Sequence, residues 1–109
     1  MAIAHTLSGQ PTDVSPLGAA LAAARTVALF KTDELEVIRL VLPAGKSMPP
    51  HKVAGAVTVQ CIEGKINVTC DDGSHLLNVG QLLYLPGDVQ HGVVALEDAS
   101  ALLTIVLRK

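Results

Sequence analysis

From residue 25 onward, apolar runs five to nine residues long alternate with polar turn residues, at a spacing too short for helices and suited to an all-β domain. Residues 26–31 and 35–42 flank the Thr32-Asp-Glu turn and predict a first hairpin. Pro43-Ala-Gly45 stops its second strand, and Pro49-Pro50 fixes an extended approach to His51. Residues 57–62 and 65–70 flank Glu63-Gly64, after which Asp71-Asp-Gly73-Ser supplies a tight turn of the Asp-Gly kind. Residues 75–79, 82–85, 89–96 and 101–107 complete the pattern, with breaks at Gly80, Pro86-Gly87 and Glu97-Asp98. That makes about eight or nine strands.

Alternate residues of a strand share a face. Before Gly64, Val57, Val59 and Cys61 therefore share one face, and Thr58, Gln60 and Ile62 the other; the more apolar odd face is the core candidate. His91 shares a face with Val93 and Ala95. Both His51 and His91 are thus expected to look into an apolar interior.

The first part of the chain reads differently. Met1 to Val14 shows no periodicity and predicts a loose arm in which His5 is inert. Ser15 and Pro16 have the chemistry of a helix N-cap and first helical position, with Leu17 and Leu21 on one face, so one short helix is expected before the barrel. The apolar stretch from Leu17 to Ala24 is too short to cross a bilayer and has no basic residue ahead of it, which excludes a signal peptide or membrane anchor. The division expected is an arm with a short helix over residues 1–24 and a β domain over 25–109.

At 109 residues there is room for one core, burying roughly two thirds of the unfolded surface. Half the residues are hydrophobic, yet Phe30 and Tyr84 are the only aromatics, so Val, Leu, Ile and Ala must build the interior, which favours a barrel or sandwich. A formal net charge of −2, with no basic run and no aromatic platform, argues against nucleic acid as a partner; Arg108 and Lys109 read as a polar terminus. Cys61 and Cys70, without an export signal, suggest free thiols in a reducing cytosol. Cys61 reads as core, Cys70 as structural and His75 as a surface residue. Met48 could form an apolar lip, and Gln81 and Tyr84 either line a barrel mouth or face a second subunit.

The chemistry concentrates in two blocks: Gly45 to Gly64, which contains His51, and Gly80 to His91. These resemble the two signature blocks of the cupin superfamily, Gly-x5-His-x-His-x3-4-Glu-x6-Gly and Gly-x5-Pro-x-Gly-x2-His-x3-Asn. Gly45, His51 and Gly64 match the first; Gly80, Pro86 and His91 match the second; and the fifteen residues from Lys65 to Val79 suit a single-domain member. The resemblance implies an all-β double-stranded β-helix, or jelly-roll barrel, and a homodimer. It also implies a metal held by both block-one histidines, the carboxylate and the block-two histidine. Here Val53 stands at the second His position and Val57 at the carboxylate, while Asp88 replaces the inner Gly and Ala95 the Asn.

Three functions follow as expectations. In the first, a small molecule binds in the barrel interior among His51, Val53, Val57, Val59, Cys61 and His91, since imidazoles serve as hydrogen-bonding and acid/base groups near neutrality. The second is an oxygenase- or isomerase-type enzyme holding Fe, Mn, Ni or Zn through His51 and His91. Its third ligand would be Cys61, or Gln60 if a bulge at Gly55 reversed the strand parity. The third is a structural dimer with a filled interior.

Overall fold

The computed structural model describes residues 6–107; His5, Arg108 and Lys109 lie outside the described residues. Nine strands form among them: β1 (Val27–Lys31), β2 (Leu35–Leu42), β3 (Ser47–His51), β4 (Val57–Glu63), β5 (Ile66–Cys70), β6 (Gly73–Leu77), β7 (Leu82–Leu85), β8 (His91–Ala95) and β9 (Ala99–Val106). They make two sheets of order β1-β2-β9-β4-β7 and β3-β8-β5-β6, with antiparallel pairing throughout. This is the expected all-β jelly roll.

The core lies between the sheets because the alternation of each strand puts one apolar file inward. Val57, Val59 and Cys61 of β4 meet Ala101, Leu103 and Ile105 of β9, and face Ile66, Val68, Val93 and Ala95 of the opposite sheet. Every one of these is at most 6% exposed. Each Val, Leu or Ile buried this fully contributes roughly 1.5–3 kcal/mol, and with no aromatic among them the interior is closed by branched side chains together with small Ala and Cys residues.

Tight backbone packing explains Gly64, a matched glycine of the first block. Its φ is 77°, and a Cβ there would stand 2.2 Å from the Asp98 carbonyl oxygen. At the position where the second block's pattern has glycine, Asp88 takes φ 63°, a left-handed conformation that Asp tolerates better than most residues.

The N-terminal helix differs from expectation. It is a 3-10 helix over Gly18–Ala23, and Ser15 does not cap it; the Ser15 amide and hydroxyl both donate to Asp13. The cap comes from Glu63 at the end of β4, which accepts from the Leu17 and Gly18 amides at 2.9 and 3.0 Å and from the Ser100 hydroxyl. A carboxylate remote in sequence does here what a local hydroxyl was expected to do. Val37, Arg39 and Val41 point away from the core yet are buried, and the arm closes over them through Arg39 Nη2, which donates to the Ser15 carbonyl. Among the described residues no helix is long and apolar enough to cross a membrane.

Candidate functional site

Four strands of the smaller sheet bring two rows of residues onto the inner face. Met48, Val93, Val68 and His75 are successive cross-strand partners from β3 through β8 and β5 to β6, and one step along the strands so are His51, His91, Cys70 and Gly73. Pro49 and Pro50 cannot donate to a ladder and are tolerated because β3 is an edge strand. The register slips by one residue between Met48 and His51. That bulge matters, since strict alternation would put His51 on the face opposite Met48, and one extra residue turns it inward.

The two imidazoles meet there, with ring centroids 4.6 Å apart and planes inclined by 52°. His91 is 1% exposed, whereas His51 is half-buried. His91 Nδ1 lies 3.1 Å from the Val89 carbonyl oxygen and His51 Nδ1 lies 3.4 Å from that of Pro49. A carbonyl only accepts, so each Nδ1 donates, and in the neutral form of either ring the lone pair is then on Nε2. His91 Nε2 is fully buried and has no hydrogen-bond partner among the described residues.

A carbonyl-oriented imidazole with a bare Nε2 is the form that ligates metals, so the two rings pass the first test for the ion that the double-histidine pattern implies. The rest of the donor set fails it. Val57 is 2% exposed, Val53 packs against the core, and neither offers a lone pair. A firmly held transition metal takes about three or more protein ligands. This pair alone does not fit one.

The expected third ligands lie elsewhere. Gln60 is on the outer face, its Nε2 donating to the Gly80 carbonyl at 3.3 Å, so no bulge reverses the parity of β4. Cys61 is 0% exposed, and its thiol donates to the Glu63 and Gly64 carbonyls. Burial pushes this thiol up from its ordinary value. Cys61 neighbours the start of β5, where Ile66 pairs with Ala95, about 13 Å along β8 from His91. Val59, fully buried mid-strand, is likewise core. Of the expected lining, His51, His91, Val53 and Val57 remain at one end of the barrel.

What the sequence reading did not foresee is the hairpin beside the histidines. Cys70 Sγ lies 2.9 Å from Asp72 Oδ1, and His75 Nε2 lies 3.2 Å from the same oxygen. Asp72 is held below the usual carboxylate range by these bonds, Cys70 first, and the same bond pushes the Cys70 thiol up. The available signal was Cys-x-Asp-x-x-His across a two-residue turn, which brings both ends of the motif onto one face of the hairpin. A cavity of about 200 Å³ adjoins the row, lined by Pro50, Thr69, Cys70, Asp71 and Gln90 but by neither histidine ring.

The architecture is similar to that of solved proteins at low sequence identity. A conserved protein of unknown function from Streptococcus pyogenes superposes with a TM-score of 0.75 at 19% identity, covering 100% of this chain and 99% of that one. KdgF from Halomonas sp. gives 0.68 at 21%, covering 77% and 80%. Salicylate 1,2-dioxygenase from Pseudoaminobacter salicylatoxidans gives 0.68 at 16%, covering 73% of this chain but only 25% of the enzyme. No curated protein matches the chain. Residues 38–107, which run from within β2 through β9 and hold both glycine-histidine blocks, match the cupin domain, and the chain belongs to the cupin family.

Proposed function

We propose that this protein binds a small neutral molecule at the His51–His91 end of the barrel, through hydrogen bonds and without a firmly held metal between the two rings. The observation that carries this reading is the buried, unpartnered Nε2 of His91. A lone pair without a partner in such a place costs about 1–3 kcal/mol, and a hydroxyl or amide N–H of a ligand would satisfy it. His51, half-buried beside it, is the member of the pair that solvent reaches. Val53 and Val57 make the surroundings apolar where the family pattern has ligands, so specificity would come from a few polar contacts in a greasy wall.

The test is ligand-observed NMR with a set of small alcohols, amides and phenols, in the presence and absence of a chelator. Binding that survives the chelator and disappears in His91→Ala supports the reading. Binding that needs added metal, or that persists in the His51→Ala/His91→Ala double variant, overturns it.

One observation favours a second reading. Both rings place hydrogen on Nδ1 and leave Nε2 free, the arrangement an Fe-, Mn-, Ni- or Zn-dependent oxygenase or isomerase would use, and salicylate 1,2-dioxygenase shares this fold. A catalytic ion would draw its remaining ligands from substrate and water. Metal bound stoichiometrically to tag-free protein and lost in His51→Ala would establish that reading in place of the first.

The protein is further proposed to be a cytosolic homodimer, with residues 1–24 as an arm on a barrel formed by 25–109. Leu82 and Tyr84 support pairing, each 63% exposed on edge strand β7 of the larger sheet. Light scattering on a size-exclusion column tests it, and a monomer mass at micromolar concentration would refute it.

A further inference from the structure

We infer that Cys70, Asp72 and His75 form a second, separate metal site on the β5–β6 hairpin, suited to Zn2+ or Co2+. The proposal is independent of the ligand reading for His51 and His91.

Three chemically different donors converge there. A thiol sulfur, a carboxylate oxygen and an imidazole nitrogen lie within 4.8 Å of one another, the one such group of three among the described residues. Thiolate, imidazole and carboxylate are the ligand types of zinc, with bonds of about 2.0–2.3 Å to each. Tetrahedral geometry then sets neighbouring donors roughly 3.3–3.8 Å apart. Asp72 Oδ1 stands 2.9 Å from Cys70 Sγ and 3.2 Å from His75 Nε2, so a few tenths of an ångström of opening would admit the ion.

The hairpin itself preorganises the set. Cys70 pairs with Gly73 around a two-residue turn, so Asp72 sits at the tip while His75, two residues past Gly73, returns to the face of Cys70. His75 pairs with Val68, which is fully buried, and this fixes the strand from which its ring projects. Cys70 and His75 are partly exposed and Asp72 is exposed, which gives an ion a path in from solvent.

The neighbouring strand carries the other candidate site. Cys70 is the cross-strand partner of His91, and such partners hold their Cβ atoms about 4.5–5.5 Å apart on one face. His91 is the ring whose Nε2 is buried without a partner. The three donors are complete without that ring, so the two sites adjoin along the ladder but remain separate. Three protein ligands leave one coordination position for water or an exogenous ligand.

Without metal, the same contacts form a hydrogen-bonded clip in which the Cys70 thiol and His75 N–H both donate to Asp72. Metal uptake displaces the thiol proton to solvent and requires the neutral His75 ring to carry its hydrogen on Nδ1 instead of Nε2, a solvent-mediated tautomer exchange, after which sulfur, nitrogen and carboxylate oxygen each hold the ion. No redox change is involved.

The experiment is a Co2+ titration of tag-free, full-length protein, followed by Zn2+ competition. The expected result is one ion per chain with thiolate-to-cobalt charge-transfer absorption, bleached by Zn2+. Cys70→Ser should abolish that absorption, and His75→Ala should weaken binding by at least about a hundredfold. Cys61→Ser and the His51→Ala/His91→Ala double variant should both leave the charge-transfer band in place. Circular dichroism of each variant establishes that it is folded. Absence of the band at saturating Co2+, or its survival in folded Cys70→Ser, would overturn the assignment. Failure of the ligand test at His51 and His91 would not touch it.

Discussion

His51 and His91 are partners across the β3–β8 ladder with ring centroids 4.6 Å apart, yet one is half-buried and the other 1% exposed. This asymmetry separates their contributions to stability from their contributions to binding. His91→Ala empties a buried volume and is expected to cost about 2–3 kcal/mol, whereas His51→Ala should stay within about 1 kcal/mol of wild type. Both should lose the proposed ligand. Urea denaturation beside NMR titration checks this, and equal stability losses would show that the burial difference carries no weight.

Glu63 makes the N-terminal helix sensitive to acid. Burial pushes its carboxyl up, but the bonds from Ser100, Leu17 and Gly18 together with the charge of Arg39 outweigh that and hold it below the usual carboxylate value. A depressed folded value means that the associated stability is fully present above the unfolded value, about 4.3, and is lost as pH falls through the folded one. Amides 17–23 should therefore exchange faster below about pH 4, before the strands do. Glu63→Gln should produce the same fraying at neutral pH and cost about 1–2 kcal/mol. Uniform exchange across helix and strands would contradict it.

The two thiols should differ in access. Cys61 is buried and Cys70 partly exposed, so native protein should release one thiol to an aromatic disulfide reagent and denatured protein two. The hydrogen bond to Asp72 is the leading cause of the raised Cys70 value, and removing it with Asp72→Asn should speed the native reaction. A slower reaction in that variant would mean that Asp72 does not restrain the thiol.

Much of the barrel was legible because strand parity is a local rule. The odd-numbered file Val57, Val59 and Cys61 turns inward as its alternation requires, and Gly64 and Gly80 take positive φ where the pattern breaks. The histidine pair was legible for the same reason together with the block spacing, although the inward turn of His51 depends on a bulge after Met48 that spacing does not announce. Two features were not legible. Glu63 caps a helix that begins 45 residues earlier, and Cys70 stands beside His91 only because β5 pairs with β8 across 21 residues of chain. Such pairings depend on sheet order, which no local pattern encodes. Ser15 looked like a cap because its chemistry is right, but the Asp13 carboxylate takes its hydroxyl and amide first.

Gly64 and Gly87 offer a way to separate stability from site geometry. A Cβ at Gly64 would meet the Asp98 carbonyl oxygen at 2.2 Å, and one at Gly87 would meet that of Ala54 at 2.0 Å. In both cases the obstacle is backbone, which cannot rotate aside as a side chain would. Each alanine substitution is expected to cost about 2–3 kcal/mol through the shift it forces. The consequences for binding should diverge, because Gly64 closes the far end of the barrel beside Cys61, whereas Gly87 begins the loop that delivers His91. That loop is pinned by the Asp88 amide, which donates to the Val53 carbonyl at 2.8 Å, so pushing Gly87 away from Ala54 strains the same contact. Gly64→Ala should therefore melt earlier yet bind the proposed ligand with unchanged affinity below its transition, and Gly87→Ala should lose affinity as well as stability. If both variants bind equally well, the 87–91 loop does not set the position of His91, and its ring is held by the pairing of β8 with β3 and β5 alone.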